Sequence, residues 1–383
     1  MTTLAAVAGI ALILLVLWES FETIVLPRRV TRQVRLTRLF YRATWKPWGA
    51  ILGVAIRSPR RRETYLGFYG PLSLLGLLAV WAIMLVLGFA LVHWAFGSHL
   101  NVPAGTDTDF WTDLYLSGTT FFTLGLGDVT PQGPLARLLT VVESGTGFAF
   151  LALVIGYLPT LYQAFSRREV NITLLDARAG SPPSAAELLR RHARDHGPVS
   201  LVQLLRDWER WSAELLESHL SYPVLCYFRS QHDNENWLAS LITILDTCAL
   251  VRVGVENVPP AQAQLTFAIA RHAVVDLAQI FSTPPDRAAP DRLPPQQLAE
   301  LRQLLAESGC KLQEGPEAEQ RLTELRAMYE PYVQALAGYL RFTLPGWLPP
   351  QRLRDNWQTS AWEKGPGGIA SPPCAQARKD DHF

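Results

Sequence analysis

The alternation of apolar and polar positions divides the 383-residue chain in two. Nearly all long apolar runs fall before Phe165, whereas the remainder mixes charged and apolar residues at helical spacing, the pattern of water-exposed helices. From Tyr65 to Thr106 there is no Asp, Glu, Lys or Arg, and Gly70 to Phe96 alone exceeds the ~20 residues that cross a ~30 Å hydrocarbon layer. From Pro134 to Phe165 only Arg137 and Glu143 are charged, which predicts a second spanning helix. Leu4 to about Leu26 predicts a third, apolar until Glu19 and Glu22 and without the basic start of a signal peptide.

Charge then orients these spans. Between Arg28 and Arg62 lie eleven Lys and Arg and no acid, while Ser98 to Ala136 holds four aspartates and no Lys or Arg. The positive-inside rule places the amino terminus outside, the basic linker inside, residues 98–136 outside and everything after Phe165 in the cytosol, in a multi-pass protein of the cell membrane. Arg32, Arg35, Arg38 and Arg42, interleaved with apolar and aromatic residues, suit a helix on an anionic inner leaflet. Fixing topology and binding a regulatory anionic lipid account for these charges equally well.

Phe110 to Asp128 is too apolar for a solvated loop and too short to cross and return. Residues 110–122 suit a short helix with Asp109 or Thr112 as N-cap and with the negative end of its dipole aimed at a cation. It leads into Thr123-Leu124-Gly125-Leu126-Gly127-Asp128. Glycines at alternate positions permit backbone angles that aim successive carbonyls at one axis. With the Thr123 hydroxyl, such oxygens can replace the hydration shell of K⁺.

This T-x-G-x-G-D segment, preceded by the Thr-Thr-x-x-Thr pattern of Thr119, Thr120 and Thr123 and flanked by two spans, resembles the pore domain of prokaryotic potassium channels. The resemblance covers residues 64–166. It implies an all-α membrane protein with a pore-loop (inverted-teepee) fold, assembled as a homotetramer because each chain supplies a quarter of every carbonyl ring. It implies that K⁺, the permeating ion, is held by the carbonyls of Thr123, Leu124, Gly125 and Leu126. Arg137 and Gly147, ten and twenty positions past Gly127, match an arginine of several relatives and the family's hinge glycine. Leu126 departs from the family's usual Tyr or Phe, which loosens the expectation of strict K⁺ over Na⁺ discrimination.

The expected organisation is a transmembrane helix (1–27), a basic linker (28–63), a pore domain (64–166), a cytosolic helical domain (167–356) and a disordered tail (357–383). Within the pore domain the outer helix covers 66–97, the pore helix 110–122, the filter 123–128 and the inner helix 134–166. Gly147, Gly156 and Pro159 are gating candidates, Pro159 because it interrupts helical hydrogen bonding. Glu143, deep in a span, needs a partner or a proton. The resemblance implies a carboxylate behind the filter at the position held here by Thr119, which makes Glu143 a candidate to supply filter support or pH sensing from the other side, with a water-facing cavity carboxylate that concentrates cations as an equal alternative.

In the second half, Ser184-x-x-Glu187 opens a helix that Gly197 can close, and periodic segments run over about 199–220, 235–251, 260–282, 295–308 and 317–340. Gln231 to Asn236 reads as a polar turn and helix cap. His192 with His196 and His272 with Asp276 are pairs, one short of a metal site. Cys226, Cys248, Cys310 and Cys374 have no metal or redox spacing and read as reduced packing residues. A net charge of +1 disfavours a nucleic-acid binder, and neither catalysis nor a cofactor is expected. Two alternatives stand beside a potassium channel: a weakly selective cation channel, and a membrane-anchored signalling or scaffold protein with a vestigial pore.

Overall fold

The computed structural model describes residues 2–26, 35–103, 108–193, 197–230 and 236–350, and the secondary structure of the described residues is helical apart from one two-strand pairing and an isolated bridge between Val255 and Leu312. Arg28, Arg29, Arg32, His196, most of the 231–236 turn, Cys374 and the 357–383 tail lie outside the described residues. The chain divides into two compact units, 1–51 with 69–163, and 52–68 with 164–383.

The first unit contains α1 (Thr2–Ser20), continued by a wider turn over Phe21–Val25, α2 (Leu36–Ala55, which runs past the unit boundary), α4 (Tyr69–Ala95), α5 (Phe110–Phe121) and the first part of α6 (Pro134–Ala179). Helices α1 and α4 cross where side chains vanish. A Cβ at Gly9 would sit 2.6 Å from the Gly88 carbonyl oxygen, and one at Gly88 would sit 2.7 Å from Ile13. In hydrocarbon no hydrophobic force separates helix from lipid, so close backbone approach supplies the attraction.

At the far end of α1, the wholly buried Glu19 accepts hydrogen bonds from the Thr37 amide (3.3 Å) and hydroxyl (2.9 Å) at the start of α2. Arg35 lies 3.6 Å from Glu22, so this member of the basic linker is already ion-paired. Strand β1 (Leu100–Asn101) pairs antiparallel with β2 (Thr130–Pro131), tying together the ends of the excursion between α4 and α6.

The second unit holds α3 (Pro59–Gly67), the remainder of α6, and α7 (Ala185–Arg191), α8 (Gly197–Ser221), α9 (Trp237–Gly254), α10 (Pro260–Phe281), α11 (Pro295–Glu307), α12 (Pro316–Ala327) and α13 (Glu330–Leu340). Boundaries follow local chemistry: Ser184 and Asn236 cap α7 and α9 through bonds from Glu187 N (3.3 Å) and Ala239 N (2.7 Å), and prolines open α10, α11 and α12. Glu187 does not complete a capping box. It pairs with Arg190 and Arg191 instead, which holds its carboxyl below the usual range despite burial.

Several sequence expectations are corrected. Gly197 opens α8 with φ +71° and does not close α7. The segment expected over 317–340 is two helices with a break at Tyr329. Helix α6 continues to Ala179, thirteen residues past the expected end at 166, because polar residues after Phe165 are good helix formers once out of hydrocarbon. Residues 52–63, assigned to the linker, fold with the second unit.

The core of the second unit is α9, of which 89% is buried in its most apolar stretch. It is long and apolar enough to cross a membrane, yet Asp246 at its centre accepts from Arg292 (2.8 Å) and the Tyr329 hydroxyl (2.6 Å).

Candidate ion-conduction site

Helix α5 begins at Asp109, whose carboxylate accepts from the Thr112 amide at 3.0 Å, leaving Thr112 as the capped residue. After Phe121 the chain turns out of the helix. The amides of Leu124 (2.7 Å) and Gly125 (3.3 Å) both donate to the Thr119 carbonyl. Thr119 therefore supports the following segment through its main chain, while its hydroxyl bonds back to Leu116.

Over the T-x-G-x-G-D segment the backbone changes hand at every second residue: Thr123, Gly125 and Gly127 have φ of +56°, +53° and +81°. The residues between them keep negative φ. An alternation of this kind permits successive carbonyls to face one side, the arrangement a dehydrated monovalent cation would need. Every residue from Phe122 to Asp128 is exposed in the single chain, Leu126 at 65%. The segment is held instead at its end, where the Tyr115 hydroxyl of α5 donates to Asp128 Oδ2 at 2.9 Å.

Behind α5 lies a buried polar cluster. Ser117 and Glu143 are hydrogen-bonded, Ser117 Oγ also lies 2.8 Å from the Val86 carbonyl, and His93 Nε2 lies 3.4 Å from Glu143 Oε2. A single hydroxyl proton serves Ser117's two acceptors. One turn away the Ser98 hydroxyl donates to Asp113, which is also fully buried. Outer helix, α5 and α6 are thus cross-linked by groups from each. The sequence reading set Glu143 against Thr119, but its partners are Ser117 and His93.

Gly147 lies against the end of α5: a methyl built there would overlap the Phe121 carbonyl oxygen, so its smallness is used for close packing. Around Gly156 there is open space, and α6 continues through Pro159, with the Thr160 hydroxyl bonding the Gly156 carbonyl at 3.0 Å.

The family model described as "Ion channel" matches residues 77–164. Protein LctB of Geobacillus stearothermophilus is 34% identical over 93 residues, 22% of this chain and 69% of LctB. The chain belongs to this ion-channel family. The uncharacterized membrane protein YdjJ of Bacillus subtilis (strain 168) is 22% identical over 204 residues, 52% of this chain, which spans 58% of YdjJ. No solved structure matches.

In this region Tyr115, Ser117, Asp113 and His93 were missed or barely weighted by sequence reasoning. The signal existed: Asp113 and Ser117 lie one turn apart on one face of α5, Asp113 as the helix's single charged residue, and His93 is a titratable residue in a charge-free span. Elsewhere, His272 lies 3.5 Å from Asp276 and His192 Nδ1 lies 2.8 Å from the Leu188 carbonyl. Among the described residues no three His, Cys, Asp or Glu side chains gather as metal ligands.

Proposed function

We propose that this channel conducts K⁺ as a homotetramer, with the carbonyls of Thr123, Leu124, Gly125 and Leu126 and the Thr123 hydroxyl forming the ion sites. The observation that carries the proposal is the alternating backbone hand at Thr123, Gly125 and Gly127 on a segment with no cover from its own chain. Four such segments around one axis complete the rings that one segment leaves open. The apolar face of α6 supports the same assembly: in its most apolar stretch only 11% of residues are buried, and Val141, Phe148 and Ile155 are exposed.

In this reading the amino terminus is outside and the second unit is cytosolic, as the basic linker requires. The gate lies at Gly156 and Pro159, where open space surrounds the glycine and the proline removes a helical hydrogen bond, and Gly147 packs beside the filter. Anionic lipid is a partner of the basic residues of the linker and of α2.

The test is purified protein in liposomes, read by K⁺ flux and by reversal potential in mixed K⁺ and Na⁺. Gly125→Ala and Gly127→Ala should abolish current while tetramers persist, since the added Cβ is strained at positive φ. Normal current in either variant would remove the segment from conduction. A weakly selective cation channel is favoured by Leu126, whose side chain offers no hydrogen bond; near-equal permeability to K⁺ and Na⁺ would establish it. A tetramer that carries no ion would favour the scaffold reading.

A further inference from the structure

Pro223–Tyr227 forms a short 3-10 turn between α8 and α9, and the residues from Leu225 to Arg229 reach two sets of partners. Inward, the Cys226 carbonyl accepts from Trp237 Nε1 at 3.3 Å, and Tyr227 meets Tyr339 hydroxyl to hydroxyl at 3.0 Å and packs edge-on against Phe281. These contacts fix the turn to the core of the second unit.

Outward, the same five residues hold two helices that lead into the pore. Arg168 of α6, 3% exposed, donates to the carbonyls of Leu225 and Phe228, each at 2.9 Å. Its guanidinium also pairs with Glu169 and lies 3.2 Å from His219 Nε2, and Phe165 packs on Phe228. At the other end, Arg229 pairs with Glu63 of α3 at 2.9 Å, donates to the Leu340 carbonyl at 2.6 Å and lies over the Phe342 ring at 4.1 Å. Burial brings the Arg229 pKa down to about 10, which leaves it charged at neutral pH.

Helix α3 leads directly into α4, and Arg168 is nine residues, about 14 Å of helix, beyond Pro159. A planar guanidinium satisfying several fixed acceptors specifies position as well as attraction. Two buried arginines are a costly way to fill volume that apolar side chains would fill more cheaply. The cost is intelligible where relative position must be held.

We infer that Leu225–Arg229 is a coupling clamp, through which a rearrangement of the second unit shifts the leads into α4 and α6 together and so sets channel opening. The gating part rests on the channel reading above. The clamp itself does not.

The test uses the full chain in lipid nanodiscs and liposomes. Glu63→Gln and Arg168→Lys should each raise amide exchange over 225–229 and over the other helix's contact, 164–169 or 59–67 respectively. Open probability should change about fivefold or more, a usual scale for coupling between sites, with the K⁺/Na⁺ reversal potential unchanged. The exchanged pair Glu63→Arg with Arg229→Glu should return open probability toward wild type relative to Glu63→Arg alone. Exchange confined to the mutated helix overturns the clamp, and coupled exchange with unaltered opening overturns its role in gating. Wild-type protein without flux would refute the channel reading and the gating part, while the exchange experiment still decides whether one clamp holds both helices.

Discussion

Helices α6 and α9 are both apolar enough to cross a membrane, and each carries a buried carboxylate in its apolar stretch, Glu143 and Asp246, yet the surroundings of the two are opposite. In α9, Asp246 meets a guanidinium that also bonds Glu330 and the Pro345 carbonyl, and the helix is covered on all sides by its own chain. In α6, Glu143 meets a hydroxyl and an imidazole, and most of the surrounding helix is left for neighbours outside the chain. A helix packed within water-soluble structure can recruit a cation with its own further acceptors. A carboxylate among apolar spans is limited to what the adjacent helices carry, here a hydroxyl and an imidazole.

The largest test of this contrast is Asp246→Ala, which leaves Arg292 with a buried, partly unpaired charge and should cost about 3–5 kcal/mol. Denaturant unfolding followed by tryptophan fluorescence measures it, and a loss under 1 kcal/mol would erase the distinction. Glu143→Leu removes contacts with a hydroxyl and an imidazole and should cost less, about 1–3 kcal/mol, read as reduced thermal stability of the assembled protein.

Next is Gly147→Ala, where the new methyl must displace the Phe121 carbonyl; overpacking of about 1–3 kcal/mol should shift α5 and suppress flux. Wild-type flux would mean that α5 and α6 separate freely.

His219 supplies a smaller, graded test in the second unit. Burial, then the neighbouring Arg168, push its pKa well below 6.5, so the folded protein holds it neutral while the unfolded chain protonates near that value. Stability from this group is therefore complete above pH 6.5 and declines on acidification, at about 1.4 kcal/mol per pH unit until the folded site titrates. Comparing unfolding midpoints of wild type and His219→Gln at pH 7.5 and 5.5 checks the slope, which the variant should lack.

The smallest effect is expected at Gly156→Ala. With open space around it and helix on both sides, the change should stabilise α6 by about 0.5–1 kcal/mol. Altered opening would then come from a stiffer helix, visible as a change in open probability at constant conductance.

The alternating backbone hand of 123–127 was legible because alternate glycines after a threonine permit positive φ at every second residue. The spans before Phe165 were legible because hydrocarbon demands apolar length. The environment of α9 was not legible from hydropathy alone, since transfer energy is similar for a lipid and for a protein core, and only Asp246 with a distant Arg292 and Tyr329 separates them. The partners of Glu143 escaped because they come from residues 93 and 117, brought together by packing that no local pattern encodes. Gly147 stood out by its spacing as a hinge, and spacing could not show the second demand on it, the room that its missing side chain leaves for the Phe121 carbonyl.

The crossing of α1 on α4 has a consequence for the surrounding bilayer. Where Gly9 and Gly88 meet, backbone lies nearly on backbone, and an acyl chain several ångströms thick has no room to enter. Along that stretch the outward residues Leu4, Val7 and Leu14 of α1 are exposed. A displacement of α1 would therefore reach α4 through a contact too tight to absorb it.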